Sequence, residues 1–161
     1  MTEEVEFIIE KSGSQPNECG CTKCQNMCKR ASCLGTPSDI LAIAEAGFAD
    51  CLTPVTLAAG LKDNIPMVDL VIMPDFEKEK GACTFFNDGK CELHDKGLKP
   101  LEGRLAECKK KFYKADQMPH EYLIAHSWNN PRNQPIIAKI DALMFNAVLD
   151  KLLKIMQDAD I

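Results

Sequence analysis

Five cysteines fall within fifteen residues near the start of this chain, Cys19, Cys21, Cys24, Cys28 and Cys33, and three more follow at Cys83, Cys91 and Cys108. Thiols crowded this closely are rarely built to fill a core. They close either disulfides or a metal site. The chain opens on Met1, Thr2, Glu3 and Glu4, with no basic segment leading into an apolar one, so no secretory leader is expected. No apolar run approaches the roughly twenty residues needed to span a bilayer. The expected location is cytoplasmic, with no membrane partner. Disulfides are rare in that compartment, and clustered cysteines there point to metal or redox chemistry. The total of nine cysteines is odd, which also excludes complete pairing within one chain.

Cys21 and Cys24 form a C-x-x-C, which alone also suits a redox dithiol. Here Cys28 and Cys33 follow at once, and a distant second group completes the pattern. A tight turn presents two sulfurs on one side, and a remote segment supplies the rest of a tetrahedral thiolate shell. Cys83 and Cys91 bracket a predicted hairpin that would bring both sulfurs near its base, and Cys108 on a following helix would complete the set. The metal-ligand candidates are therefore Cys19, Cys21, Cys24, Cys28, Cys33, Cys83, Cys91 and Cys108. Cys51 has no cysteine neighbour and reads as core. His94, three residues after Cys91, is a weaker ligand candidate, and His120 and His126 are weaker still. Lys23, Lys29 and Arg30 flank the first group, and Arg104 and Lys109 to Lys111 flank the last. Such cations lower thiol pKa and favour the thiolate ligand.

A length of 161 residues suits one domain, residues 1–161, with a metal-binding region over 19–112 and a helical part over 113–161. The net charge of −5 argues against a nucleic-acid partner. Residues 3–10 read as a short strand or ordered arm, and 11–37 as irregular chain with about one helical turn. Ser38 reads as the N-cap of a short helix ending near Gly47. Thr53 and Pro54 read as the start of a second helix running to about Gly60. Residues 65–73 read as a strand. Asn87, Asp88 and Gly89 are hairpin-turn chemistry. Helices are expected over about 101–111 and 119–128. From Pro135 to about Gln157 apolar residues recur at helical spacing, and that helix is expected to pack on the core rather than to bind a partner. The His126-to-Arg132 stretch is polar and aromatic and could line a cleft, but reads first as a helix terminus and a turn. The predicted class is α+β: a small metal-organised domain with a short hairpin, several short helices and a long C-terminal amphipathic helix.

The order of these motifs resembles a family. A C-x-x-C knot leads to a helix entered through Pro37, Ser38, Asp39 and Ile40. Then come Cys83, Thr84, Phe85 and Phe86, a turn, and Lys90, Cys91, Glu92, Leu93 and His94. Arg104 precedes a final Cys108. This resembles the zinc- or iron-chelating proteins known for a CxxCxxCC cysteine cluster, over roughly residues 19–112. The family's adjacent Cys-Cys pair is absent, and Gly103, Arg104 and Leu105 replace its Arg-Pro. The resemblance implies a metal-binding domain. A related cluster occurs in proteins associated with flagellin lysine methylation, but no cofactor motif for that activity is present here.

All-thiolate ligands select zinc or an iron–sulfur cluster. Zn(II) is placed first, because separate segments closing a tetrahedral shell is the commoner structural use. An iron–sulfur cluster is the close alternative. Three roles remain open: a metal-stabilised module with an unidentified protein partner, an electron-transfer protein, or an enzyme with an open coordination position. The enzyme reading would need a base, for which Asp88, Glu92 and Asp95 are the neighbours in sequence.

Overall fold

Helix ends in this chain are written locally, by caps. The computed structural model describes residues 1–17, 20–62, 65–108 and 112–159. The first helix, α1, is Glu3–Ser12. The Thr2 hydroxyl accepts from the Val5 N–H at 3.3 Å, three glutamates occupy the first turn, and Gly13 closes the helix in the left-handed region at φ 63°. Cap and helix dipole together stabilise a helix where the apolar pattern alone suggests a strand. Val5 and Ile8 are its buried contacts.

The cysteine-rich loop holds one short helical turn, α2 (Thr22–Gln25), continued by a 3-10 turn over Asn26–Lys29. Helix α3 is Pro37–Ile43. Its N-cap is Thr36, not Ser38. Thr36 and Asp39 form a reciprocal capping box with Pro37 at the first helical position. A wide turn over Ala44–Phe48 follows, with Gly47 at φ 95°.

The segment expected to be a second helix is a strand, β1 (Leu52–Lys62). It pairs antiparallel with β2 (Ile65–Pro74), Leu52 opposite Pro74 and Val55 opposite Val71. A two-stranded ribbon consists of edges, so Pro54 can sit in it without removing a ladder bond. Two very short hairpins follow. In the first, β3 (Phe76–Glu77) pairs with β4 (Ala82–Cys83). In the second, β5 (Phe86–Asn87) pairs with β6 (Lys90–Cys91) around Asp88 and Gly89, at φ 50° and 81°. Two positive φ values are what the tight hairpin turn demands. Thus Cys83 and Cys91 lie on neighbouring hairpins rather than at one base.

Four helices complete the chain: α4 (Glu92–Asp95), α5 (Leu101–Leu105), α6 (His120–Ser127) and α7 (Gln134–Asp158). Helix α5 stops well before the expected residue 111, and Cys108 lies beyond its end. The result is a small mixed α+β fold with three two-stranded antiparallel sheets among the described residues. Its core joins Ile8 of α1, Ile40 and Ile43 of α3, Val71 of β2, Leu93, Leu101, Leu105, Ile124 and Ile140. Trp128 is buried and donates from Nε1 to the Gly35 carbonyl at 3.0 Å. Among the described residues no helix is long and apolar enough to cross a membrane.

Helix α7 meets the core through Ile140, with Ile136, Ile137, Leu143, Met144 and Ala147 packed beside it. From Val148 to Ala159 every residue is exposed. The core-packing expectation therefore holds for the first half of this helix only.

Candidate metal centre

The short α2 turn and the segment after α5 meet. The sulfurs of Cys21, Cys24 and Cys108 lie within 4.8 Å of one another. Tetrahedral zinc with Zn–S bonds near 2.3 Å places its sulfurs about 3.8 Å apart, so a small adjustment would close a shell here. Cys21 caps α2 and is exposed, while Cys24 and Cys108 are half-buried. Lys23 fastens the two segments by donating from Nζ to the Cys108 carbonyl at 2.7 Å. Cys19 is outside the described residues.

The change from α to 3-10 geometry at Asn26 turns Cys28 away from this group and into the interior. There the Cys28 thiol contacts those of Cys33 and Cys91, with Cys83 next to them. Cys83 and Cys91 also feel each other directly. Cys28 is the hub of this second set, which is less tightly convergent than the first. The hydrogen bond with Cys33, with burial added, pushes the Cys28 thiol up to about 12. Cys91 is also raised, first by its bond to Cys28 and then by burial. Burial raises Cys83. Burial and the neighbouring thiols favour the protonated forms, as expected of crowded acids in a low dielectric. Donors for the thiolate form are nonetheless in place. The backbone N–H groups of Leu93 and His94 aim at Cys91 and the Phe85 N–H at Cys83, while the Ser32 hydroxyl beside Cys83 donates to the Asp75 carbonyl at 3.2 Å. Both sets fit a thiophilic metal by donor chemistry, and no disulfide joins the eight described cysteines.

A cavity of about 170 Å³ runs between the two sets, lined by Cys24, Cys28, Cys33, Cys91, His94 and Gly103 among others. Gly103 lets the chain pass close here, because a Cβ at this position would come within 2.9 Å of Lys99 Cε and 3.1 Å of the Cys33 sulfur. His94 is exposed on the cavity wall and belongs to neither thiol set. Asp95, one of the candidate bases, pairs with Lys90 at 2.8 Å. Asp88 is a turn residue and Glu92 is exposed. Cys51 stands apart, with its thiol 3.6 Å from Asp50 Oδ1.

Two residues that were not site candidates hold the frame. Glu102 accepts from the Leu34 N–H, directly after Cys33, and its own N–H donates to the Leu34 carbonyl at 3.0 Å. Burial pushes its carboxyl up to about 7. A carboxyl raised in the fold contributes stability below its unfolded pKa near 4.5, and that contribution is lost as pH rises through 7. Glu102→Gln keeps an acceptor and has no charge to bury. We expect wild type to lose about 2 kcal/mol relative to this variant between pH 5 and pH 8.5, measured by denaturant titration at each pH. Parallel pH curves for the two proteins would contradict it.

The second such residue is Asp39. Its Oδ2 accepts from Thr36 N–H at 3.0 Å and Leu101 N–H at 3.1 Å, and its Oδ1 pairs with Arg104 at 2.8 Å. The Pro-Ser-Asp helix entry and the arginine before the last cysteine are therefore two halves of one contact.

The His126-to-Arg132 stretch is the expected helix terminus and turn, with α6 ending at Ser127 and a 3-10 turn over Pro131–Asn133, and His126, Asn130 and Arg132 also line a cleft of about 640 Å³. His126 Nδ1 lies 2.8 Å from Oδ2 of buried Asp69, and Asn129 donates to the other carboxylate oxygen. This ties the end of α6 to β2.

Comparison with known proteins returned no matching family model, curated protein or solved structure. The likeness to the CxxCxxCC proteins thus rests on the residues alone, while the fold and thiol groups define a small α+β chain with a candidate metal centre.

Proposed function

We propose that this chain is a metal-binding protein holding zinc through two groups of cysteine thiolates, Cys21, Cys24 and Cys108 with Cys19 as fourth ligand, and Cys28, Cys33, Cys83 and Cys91. The convergence of Cys21, Cys24 and Cys108 from opposite ends of the cysteine-rich region carries this reading. Cys19 lies two residues before Cys21, close enough in sequence to reach the same ion. The buried second set joins the irregular loop to both short hairpins, so a metal there would be structural. The first set, with Cys21 exposed, is the one open to exchange. Zinc stands ahead of an iron–sulfur cluster because each set draws its sulfurs from separate segments. The cluster remains the alternative, with electron transfer as its role.

The test is metal and acid-labile sulfide analysis of anaerobically purified protein, with an absorption spectrum. We expect two zinc ions per chain and no sulfide. Iron with stoichiometric sulfide and visible absorption would replace zinc with the cluster reading. A colourless, metal-free chain that keeps its thermal stability in excess chelator would overturn both.

A further inference from the structure

The second half of α7 is clothed in apolar side chains that the chain itself leaves in water. Phe145, Val148, Leu149, Leu152, Leu153, Ile155 and Met156 are between 42 and 66% exposed. Their arrangement is specific. Ala138, Ala142, Phe145, Leu149, Leu152 and Met156 alternate at spacings of four and three, and all are exposed. At 100° per residue they form a stripe on the side opposite Ile140, the residue α7 buries in its own core. Asp150, Lys151, Lys154 and Asp158 fall off this stripe, and Lys151 reaches back to Asp50 at 3.1 Å. Alternating four-three spacing is the pattern of a helix that packs along another helix of like pattern.

We infer that α7 is the dimerisation element of this protein and that its stripe pairs antiparallel with the same stripe of a second copy. A two-fold interface needs only one self-complementary surface, and this stripe is one. Antiparallel pairing centred on Leu149 sets Ala142 against Met156 and Phe145 against Leu153 with Leu152 beside it, small or flat against large, along about 21 Å of helix. Parallel pairing would stack alanines at one end and large residues at the other, leaving a gap. The exposed end of each helix then lies over the free face of its partner's first half, whose other side is already docked. Phe145, Leu149, Leu152 and Met156 leave on the order of 100 Å² each, so the stripe alone would cover roughly 800 Å² in a pair, and roughly 1,400 Å², the size of an ordinary stable interface, once the flanking Val148, Leu153 and Ile155 are covered as well. No acidic or basic residue lies on the stripe itself, and Asp141 flanks it at one edge.

The experiment is light-scattering mass determination on the purified 161-residue chain and three variants, with metal content measured on each. Wild type should run at twice the 17.9 kDa chain mass at roughly 100 µM. Leu149→Lys and Leu149→Glu, which place like charges across the two-fold axis, should each be monomeric with unchanged metal content and helicity. Mixing these two should restore the dimer mass, which misfolded proteins would not do. Lys154→Gln, off the stripe, should remain dimeric. A monomeric wild type, including one that pellets with phosphatidylcholine vesicles or waits for a different protein, would overturn self-pairing. So would a dimer that survives Leu149→Lys. Metal content is read separately, so loss of the dimer reading leaves the metal reading standing.

Discussion

Cys24→Ser and Cys83→Ser should each remove one of two bound metal ions and lower Tm by about 10 °C or more, while Cys51→Ser should hold both and stay within about 3 °C of wild type. The reasoning runs from free-energy linkage. A structural zinc site binds only when its ligands are assembled, so its binding energy is also folding energy. Cys24 and Cys83 belong to different thiol sets. Each substitution thus breaks one set and leaves the other intact, and the two variants should each retain about half the metal. Cys51 touches neither set, and its thiol faces Asp50. Serine there changes a partly buried sulfur for a hydroxyl, a small perturbation. Metal content by mass spectrometry and Tm by calorimetry decide the matter. Equal small effects at all three positions would remove the metal from any structural role.

Asp39→Ala should lower stability by about 2–4 kcal/mol, and Asp39→Asn by about half as much. The carboxylate serves three partners at once. It closes the capping box of α3, satisfies the first N–H of α5 and neutralises Arg104. Alanine removes the carboxylate half of the capping box, strands two backbone donors and leaves the guanidinium without its anion. Asparagine keeps one acceptor oxygen but loses the ion pair. Arg104 already has one nitrogen, Nε, buried without a hydrogen-bond partner, so it has little capacity to compensate. Because α5 leads directly to Cys108, the alanine variant should also bind metal more weakly at the first set, with the second unaffected. Denaturant titration gives the stability difference, and chelator competition gives the affinity. A loss under about 0.5 kcal/mol for Asp39→Ala would mean the three contacts are redundant.

What the sequence disclosed depended on how local each signal was. Helix α7 follows from periodicity, and the Asp88–Gly89 hairpin from turn chemistry, because both are decided within a few residues. The segment expected as a short strand or ordered arm, residues 3–10, is a helix whose signals are equally local, Thr2 before a run of glutamates and Gly13 after. The Thr53–Pro54 pair copies a helix start, and only the antiparallel partner from Ile65 to Pro74 makes β1 a strand. That information is not local.

The site divides in the same way. The eight cysteines were visible as ligand candidates, and Cys21 with Cys24 as a pair. Their partition was not visible. It rests on the tightening of the helical turn at Asn26 and on the early end of α5, which sends Cys108 to Cys21 and Cys24 instead of to the hairpin cysteines. Gly103 and Glu102 carried no recognisable ligand chemistry, and their roles come from close approach and burial.

The two thiol sets are nested along the chain. Cys28 and Cys33 join Cys83 and Cys91 inside the stretch that separates Cys24 from Cys108. Nesting makes the order of assembly a matter of polymer statistics. Tying the inner set first leaves only the short links from Cys24 to Cys28 and from Cys91 to Cys108 to be closed by the outer set. By loop-closure entropy this favours the outer step by about 1 kcal/mol over closing the full span alone. A nascent chain delivers Cys91 before Cys108, so synthesis and entropy select the same sequence of events. With metal in both sets, as proposed, the knot would be tied from the inside outward.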